Sequence, residues 1–340
     1  MESLAGGRGI DRSHDDDSIN FPLRHYDMKK NSPSNLSGVL FFPITPFAAN
    51  GDVNDAALAE HVQRGVAQGP GAVFAACGTG EFNALEVGEF ETVVRVAVEA
   101  TAGRVPVFAG CGGSLPQAKQ FAAAAKRAGA QGLLLLPPYL VSCPPEGVAN
   151  YVEQLAASTS LPLIVYQRNN AVFTPPTATR VARLPNVIGF KDGLGNLDAM
   201  QRIVLAVRSG IGNKPFQFFN GMPTAEMVQP AYRAIGVPLY SSAVFCFAPE
   251  IALGFYGALE RNDTARVEAL LQNFYAPLVE LRNEVPGYAV SLVKAAVRLN
   301  GIAAGPVRAP LVEPTPKHLE QLERIIAAGR ALAGPKSAAA

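Results

Sequence analysis

Cysteine is scarce in this chain: four in 340 residues (Cys77, Cys111, Cys143 and Cys246), with no C-x-x-C and no close Cys/His spacing. That pattern counts against a disulfide framework and a zinc site, and it suits a reducing compartment. An excess of one charge is missing too. Lys plus Arg number 29 against 28 Asp plus Glu, a net charge of +1, so no global field draws the chain to nucleic acid or an anionic membrane. No apolar stretch reaches the ~18 residues of a membrane span, and the N-terminus lacks a signal-peptide apolar segment. The expectation is a cytoplasmic protein with a small neutral or anionic ligand. No G-x-G-x-x-G follows the first apolar run, which argues against a dinucleotide-binding doubly wound sheet.

What is present alternates regularly. Runs rich in Val, Ile, Leu and Phe occur at 38–44 (GVLFFPI), 71–76, 105–109, 132–136, 162–166, 187–190, 215–219 and 237–244. Each is followed by a segment with helical apolar spacing, at 55–68, 86–101, 115–128, 146–158, 176–183, 196–208, 224–234 and 248–260. Eight such units over ~220 residues predict an α/β fold, a (β/α)8 TIM barrel. Beyond about residue 262 the strands stop, and 264–284, 287–300 and 316–332 read as helices only. The predicted organisation is a loose N-terminal tail over 1–36, the barrel over 37–262, a C-terminal helical region over 263–333 and a short tail over 334–340. Both tails lack the apolar material that ordering requires.

A barrel places its chemistry at the C-terminal ends of its strands. Those ends carry Thr45 after the first strand, Gly78, Thr79, Gly80 and Glu81 after the second, and Tyr166 and Arg168 around the fifth. Lys191 follows the sixth, Asn220 the seventh, and Ser241 and Ser242 the eighth. The histidines fall elsewhere (His14, His25, His61 and His318), so the rim does not read as a metal centre, and no cofactor is expected.

The block VIGFKDGLG, 187–195, is the informative one. Lys191 ends an apolar run, where burial lowers an amine's pKa and frees its lone pair for attack on a ketone. The alternative is a structural ion pair with Glu81 or another rim acid. Tyr166 closes the preceding strand and could exchange protons over the barrel mouth, or be a rim aromatic with a wet hydroxyl. The Gly78-Thr79-Gly80 turn offers backbone N–H groups and a hydroxyl to a carboxylate, or is a plain βα turn.

Over about 38–300 the chain resembles the dihydrodipicolinate synthase/N-acetylneuraminate lyase superfamily of Schiff-base barrels. The resemblance rests on GVLFFPITPF, GTGEF, PPYL, IVYQRNNAV and GFKDGLGNL in that order. It implies that Lys191 forms an imine, that Tyr166 transfers protons and that Gly78 and Thr79 hold the carboxylate of a 2-oxo acid. Gly78 and Leu140 stand where the lysine-pathway members carry relay hydroxyls, and Ala171 where they carry an arginine, so lysine biosynthesis is disfavoured. The blocks GMPTAE and YSSAVF are closer to the 5-dehydro-4-deoxyglucarate dehydratase branch. That similarity implies dehydration and decarboxylation of a sugar diacid to 2,5-dioxopentanoate, without a cofactor and in a homo-oligomer. Arg168, Ser241 and Ser242 are then candidates for the distal carboxylate, and Thr45, Gly80 and Asn220 complete the predicted binding set. Gln167, Asn169, Asn220 and Cys246 depart from that branch. They keep two alternatives open: a Schiff-base aldolase releasing pyruvate from a related 2-oxo-3-deoxy sugar acid, and a non-catalytic sugar-acid binding barrel.

Overall fold

The structure is a computed structural model that describes residues 32–138 and 141–333. The expectations for 1–31, for Tyr139 and Leu140, and for the 334–340 tail fall outside the described residues.

Eight parallel strands close in sequence order, with β1 pairing both β2 and β8. They are β1 (Leu40–Phe41), β2 (Ala72–Ala75), β3 (Val107–Cys111), β4 (Gly132–Leu135), β5 (Leu163–Gln167), β6 (Val187–Asp192), β7 (Gln217–Asn220) and β8 (Leu239–Ser242). Between and after them run α1 (Asp55–Val66), α2 (Val87–Thr101), α3 (Leu115–Arg127), α4 (Pro145–Ala156), α5 (Pro175–Ala182), α6 (Leu197–Gly210), α7 (Gln229–Ala234) and α8 (Pro249–Glu260). This is the (β/α)8 barrel of the sequence reading. Its strands are buried on both faces, which is why they read as apolar runs and not as alternating patterns.

Local chemistry explains where several helices begin. Asn54, Ser114, Thr174, Asn196 and Asp263 each accept a backbone N–H of the first turn that follows, satisfying donors that have no partner inside the helix. Proline, which lacks an N–H and crowds the preceding turn, breaks one predicted helix and widens a turn of another. The segment 224–234 divides at Pro230 into a 3-10 turn, Ala225–Val228, and α7. The segment 264–284 runs on without a gap as α9 (Thr264–Leu270), a π-helical turn (Leu271–Tyr275) and α10 (Ala276–Asn283), the wider turn falling just before Pro277.

The remaining helices, α11 (Tyr288–Leu299) and α12 (Pro316–Ala333), complete the C-terminal region. Helix α12 packs on α8 and the π-helical turn. There Gly329 permits close approach, since a Cβ would lie 2.4 Å from Phe274 and 2.6 Å from Ile251. Leu36, just before the first strand, is tied to β7 by reciprocal 2.8 Å bonds with the Gln217 amide.

Three phenylalanines stack across the first strands. Phe42 lies on Phe74 at 4.5 Å between ring centroids, and Phe74 on Phe108 at 4.9 Å. Gly132 leaves room for this column, because a Cβ there would sit 2.3 Å from the Phe108 ring. The column ends at Phe42, which forms part of the floor of the site.

Candidate active site

A cavity of about 430 Å³ opens at the C-terminal ends of the strands. Lys191 and Tyr166 are paired neighbours in the β5–β6 register, and both side chains reach it. Lys191 is only 6% exposed. Its Nζ lies 4.3 Å from the centroid of the Phe42 ring and 4.7 Å from that of Tyr166. Burial pulls the ammonium down to about 7, opposed by Cys77 and reinforced by the Arg168 guanidinium. Burial pushes the Cys77 thiol itself up to about 12, so that thiol is uncharged near neutrality and its opposition weak. Lys191 is therefore divided about evenly between free amine and ammonium at neutral pH.

The ion-pair alternative for Lys191 does not hold in its Glu81 form. Glu81 instead accepts from Lys294 of α11 at 2.7 Å, with both side chains essentially inaccessible. The other Glu81 oxygen accepts the Arg308 backbone N–H at 2.9 Å. Glu81 takes a left-handed conformation, φ +55°, and so fixes the end of the loop that contains Gly78 and Thr79. Asp192, the acid beside the lysine, also points away from it. Strand alternation turns it to the outer face, where it accepts from Gln167 at 2.6 Å, from the N–H groups of Leu194 and Gly195, and from the Tyr232 hydroxyl.

The Tyr166 hydroxyl donates to the Gly221 carbonyl at 2.6 Å and accepts from Arg168 Nη1 at 3.1 Å. Among the described residues, these groups hold the phenol over the cavity. Gly221 has to be glycine: an added Cβ would lie 2.6 Å from the Tyr166 ring and 2.7 Å from Lys191 Cε. Across the cavity, Gly78 and Thr79 form a turn that leads into a 3-10 turn, Phe82–Ala84, and not directly into α2. Among the described residues the N–H groups of Gly78 and Thr79, both on the cavity lining, donate to no backbone carbonyl, which suits them to a carboxylate.

Of the ten residues expected from sequence, six line this cavity: Gly78, Thr79, Tyr166, Arg168, Lys191 and Ser241. Thr45, Gly80, Asn220 and Ser242 do not. The Thr45 hydroxyl donates to the Gly80 carbonyl at 2.7 Å, so these two hold the glycine loop in place. Asn220 faces the helices, donating to Ala225 and Gln229 and accepting from the Met222 N–H. Ser242 lies on the opposite face of β8 from Ser241 and donates to Glu226 at 2.6 Å. Three of the four departing positions are also turned away: Gln167 binds Asp192, Cys246 donates to the Phe42 carbonyl, and Asn220 is accounted for above. Only Asn169 lines the cavity.

Sequence reading missed the contribution of the C-terminal region. Arg282 of α10, Tyr288 and Leu292 of α11, and the Arg308–Leu311 segment form one wall. Arg308 is fixed by Glu89, with one contact at 2.7 Å, and by the Ala84 and Gly51 carbonyls.

The chain matches the dihydrodipicolinate synthetase family over residues 35–329. It belongs to that family. A probable 5-dehydro-4-deoxyglucarate dehydratase of Streptomyces griseus is 56% identical over 304 residues, covering 89% of this chain and 95% of that protein. A protein of the same description from Pseudomonas fluorescens is 44% identical over 85% of this chain and 94% of its own length. Among solved structures, dihydrodipicolinate synthase from Oceanobacillus iheyensis superposes with a TM-score of 0.80 at 22% identity, over 89% of this chain and 98% of that one. This last similarity speaks for the family's fold alone. Among the described residues no helix is long and apolar enough to cross a membrane.

Proposed function

We propose that the protein is a lyase that converts 5-dehydro-4-deoxyglucarate to 2,5-dioxopentanoate, water and CO2 through an imine on Lys191. The observation that carries this reading is the buried amine of Lys191, lowered to about 7 and set beside a positioned phenol in a cavity rimmed by anion-binding groups. The extensive similarity to dehydratases of that description supports the choice of substrate.

In the proposed sequence, the substrate's 2-oxo carboxylate lies on the Gly78–Thr79 turn and its ketone meets Lys191 Nζ. The amine adds to the carbonyl carbon and water leaves, giving an iminium. Loss of a proton from the adjacent methylene gives an enamine, and the Tyr166 hydroxyl, held between Gly221 and Arg168, handles that proton. The enamine then expels the neighbouring hydroxyl as water, which leaves a conjugated iminium. Breaking the bond to the far carboxylate sends its electron pair through that system to nitrogen and releases CO2. Protonation and hydrolysis return the free amine with the dioxo product. Every electron pair ends on the lysine nitrogen or in the product, so the steps balance without an external oxidant or reductant. We further propose that the protein works in the cytoplasm as a homo-oligomer, which sedimentation of the purified protein tests.

A proton NMR time course with 5-dehydro-4-deoxyglucarate, run beside Lys191→Ala, tests the reaction. The expected result is 2,5-dioxopentanoate and CO2 from the wild type alone. Pyruvate in place of CO2 would make it an aldolase on the same scaffold. An unchanged spectrum would reject the substrate.

A further inference from the structure

Among the described residues the charged side chains that line the cavity are Glu81, Arg168, Lys191, Arg282 and Arg308. Glu81 is neutralised by Lys294 and Arg308 by Glu89. Among the described residues neither Arg168 nor Arg282 forms an ion pair. Two guanidiniums therefore face a cavity in which the described residues offer them no free carboxylate, and an arrangement of this kind is costly unless an anion joins it.

Arg282 is half-buried, and burial together with the nearby Arg168 guanidinium pushes it below its ordinary value. Its Nη1 donates to Thr224 Oγ1 at 2.7 Å, while Nε and Nη2 are held by Asn283 at 3.2 and 3.1 Å. Thr224 is itself unusual. It is a β-branched residue at φ +51°, ψ +62°, a left-handed conformation that is strained for such a side chain and concentrates at functional sites. The Arg282 bond occupies an acceptor position on its hydroxyl and leaves the hydroxyl proton for another partner.

We propose that Arg282, Thr224 and Arg168 form a second anion subsite at the cavity wall, which takes the carboxylate of the sugar diacid remote from the reacting ketone. The inference rests on the proposed reaction for the identity of the diacid, but not for the presence of the subsite. It makes Arg282, a residue of the C-terminal region, the group that separates diacids from 2-oxo acids with one carboxylate. The Gly78–Thr79 turn and Lys191 then hold one end of the substrate, and the C-terminal helices read the other.

The test uses two probes with the same six-carbon chain, 2-oxoadipate and 2-oxohexanoate, which differ in the distal carboxylate. Calorimetric titration measures their binding whether or not an imine forms. The wild type should prefer 2-oxoadipate by at least about tenfold. Arg282→Met should weaken 2-oxoadipate by about 10- to 100-fold and leave 2-oxohexanoate within about twofold, with Arg282→Lys between them. Thr224→Gly relieves the backbone strain, so its fold is secure, and it should weaken only the diacid, by about three- to tenfold. Equal loss for both probes, or no loss in Arg282→Met and Thr224→Gly, overturns the proposal. If 5-dehydro-4-deoxyglucarate is not turned over but Arg282 still discriminates between the probes, the subsite stands and the substrate assignment fails.

Discussion

Lys294→Met removes one half of the buried pair that fixes the glycine loop. The Lys294–Glu81 contact is 2.7 Å, and both side chains are essentially inaccessible. At an effective dielectric near 20 its Coulomb energy is about 6 kcal/mol. Desolvation of two charges offsets most of that, so the intact pair adds little net stability. Breaking it is a different matter. Glu81 would keep only the Arg308 backbone N–H as a partner, and an unpaired buried carboxylate costs about 3–5 kcal/mol. With an unfolding entropy near 2.1 cal/mol/K per residue, a chain of this size should lose about 4–7 °C in Tm. The double variant Glu81→Gln/Lys294→Met removes both charges and should recover most of the loss. Thermal and urea unfolding of the four proteins closes the cycle. A single Lys294→Met variant that lost less than about 1 kcal/mol, or a double variant no better than the single, would refute the reasoning.

Other outcomes follow from the same geometry. The proposed reaction requires Lys191 to be unprotonated when it attacks, and burial lowers its pKa to about 7, so kcat/KM should fall below pH 7 along a limb with an apparent pKa near that value. Arg168→Gln removes a charge that lowers the amine and should move the limb to higher pH; a limb unmoved by this change would contradict the electrostatic assignment. Gly221→Ala places a methyl against both Tyr166 and Lys191 and should cut kcat by more than about 100-fold with the circular dichroism spectrum retained, for about 1–3 kcal/mol of lost stability. Near-normal turnover would show that the two side chains need not hold these positions. Glu226 is fully buried and raised to about 7 by burial, with one oxygen bonded to Ser242 and the other without a partner. The native protein therefore holds a proton that the unfolded chain releases between about pH 4.5 and 7, and stability falls as pH rises through that window. Glu226→Gln should gain about 3 kcal/mol relative to wild type on going from pH 5 to pH 8, read as a pH-dependent gap in Tm; a gap constant with pH would count against the assignment.

The barrel was legible because its period is coarse. Eight apolar runs buried on both faces, each followed by a helix and several of those capped by a side chain, survive errors of a few residues at every boundary. Proline decided where the reading of helices failed: Pro230 divides a segment whose apolar spacing alone runs on unbroken, whereas before Pro277 the helix only widens by a π turn. At the site, the rule that strand ends carry the chemistry brought Lys191, Tyr166, Gly78, Thr79, Arg168 and Ser241 to one cavity. It could not say which of two adjacent residues faces inward. Ser241 and Ser242 differ only by the alternation of the strand, and Thr45 and Asn220 by hydrogen bonds to loops that sequence does not display.

The least legible part is the most distant. Glu81 finds its partner 213 residues away in Lys294, and Arg282 reaches the cavity from a helix that follows the whole barrel. No local pattern marks these residues. A signal was available in charge accounting, since GTGEF places an acid on a rim where the one lysine expected at a strand end is already assigned to the proposed imine. The departures at Gln167, Asn220 and Cys246 weighed toward another substrate when placed on the binding face; their side chains instead bind Asp192, the helices and the Phe42 carbonyl.

The central claim is that Lys191 carries the substrate covalently, and borohydride reduction tests it most directly. The protein is incubated with 5-dehydro-4-deoxyglucarate and with pyruvate, reduced, digested and mapped by mass spectrometry. The account expects one stable adduct on the peptide that contains Lys191, absent from Lys191→Ala and formed more slowly below pH 7. An adduct on another lysine, or rapid turnover of the substrate with no adduct at Lys191, would contradict it.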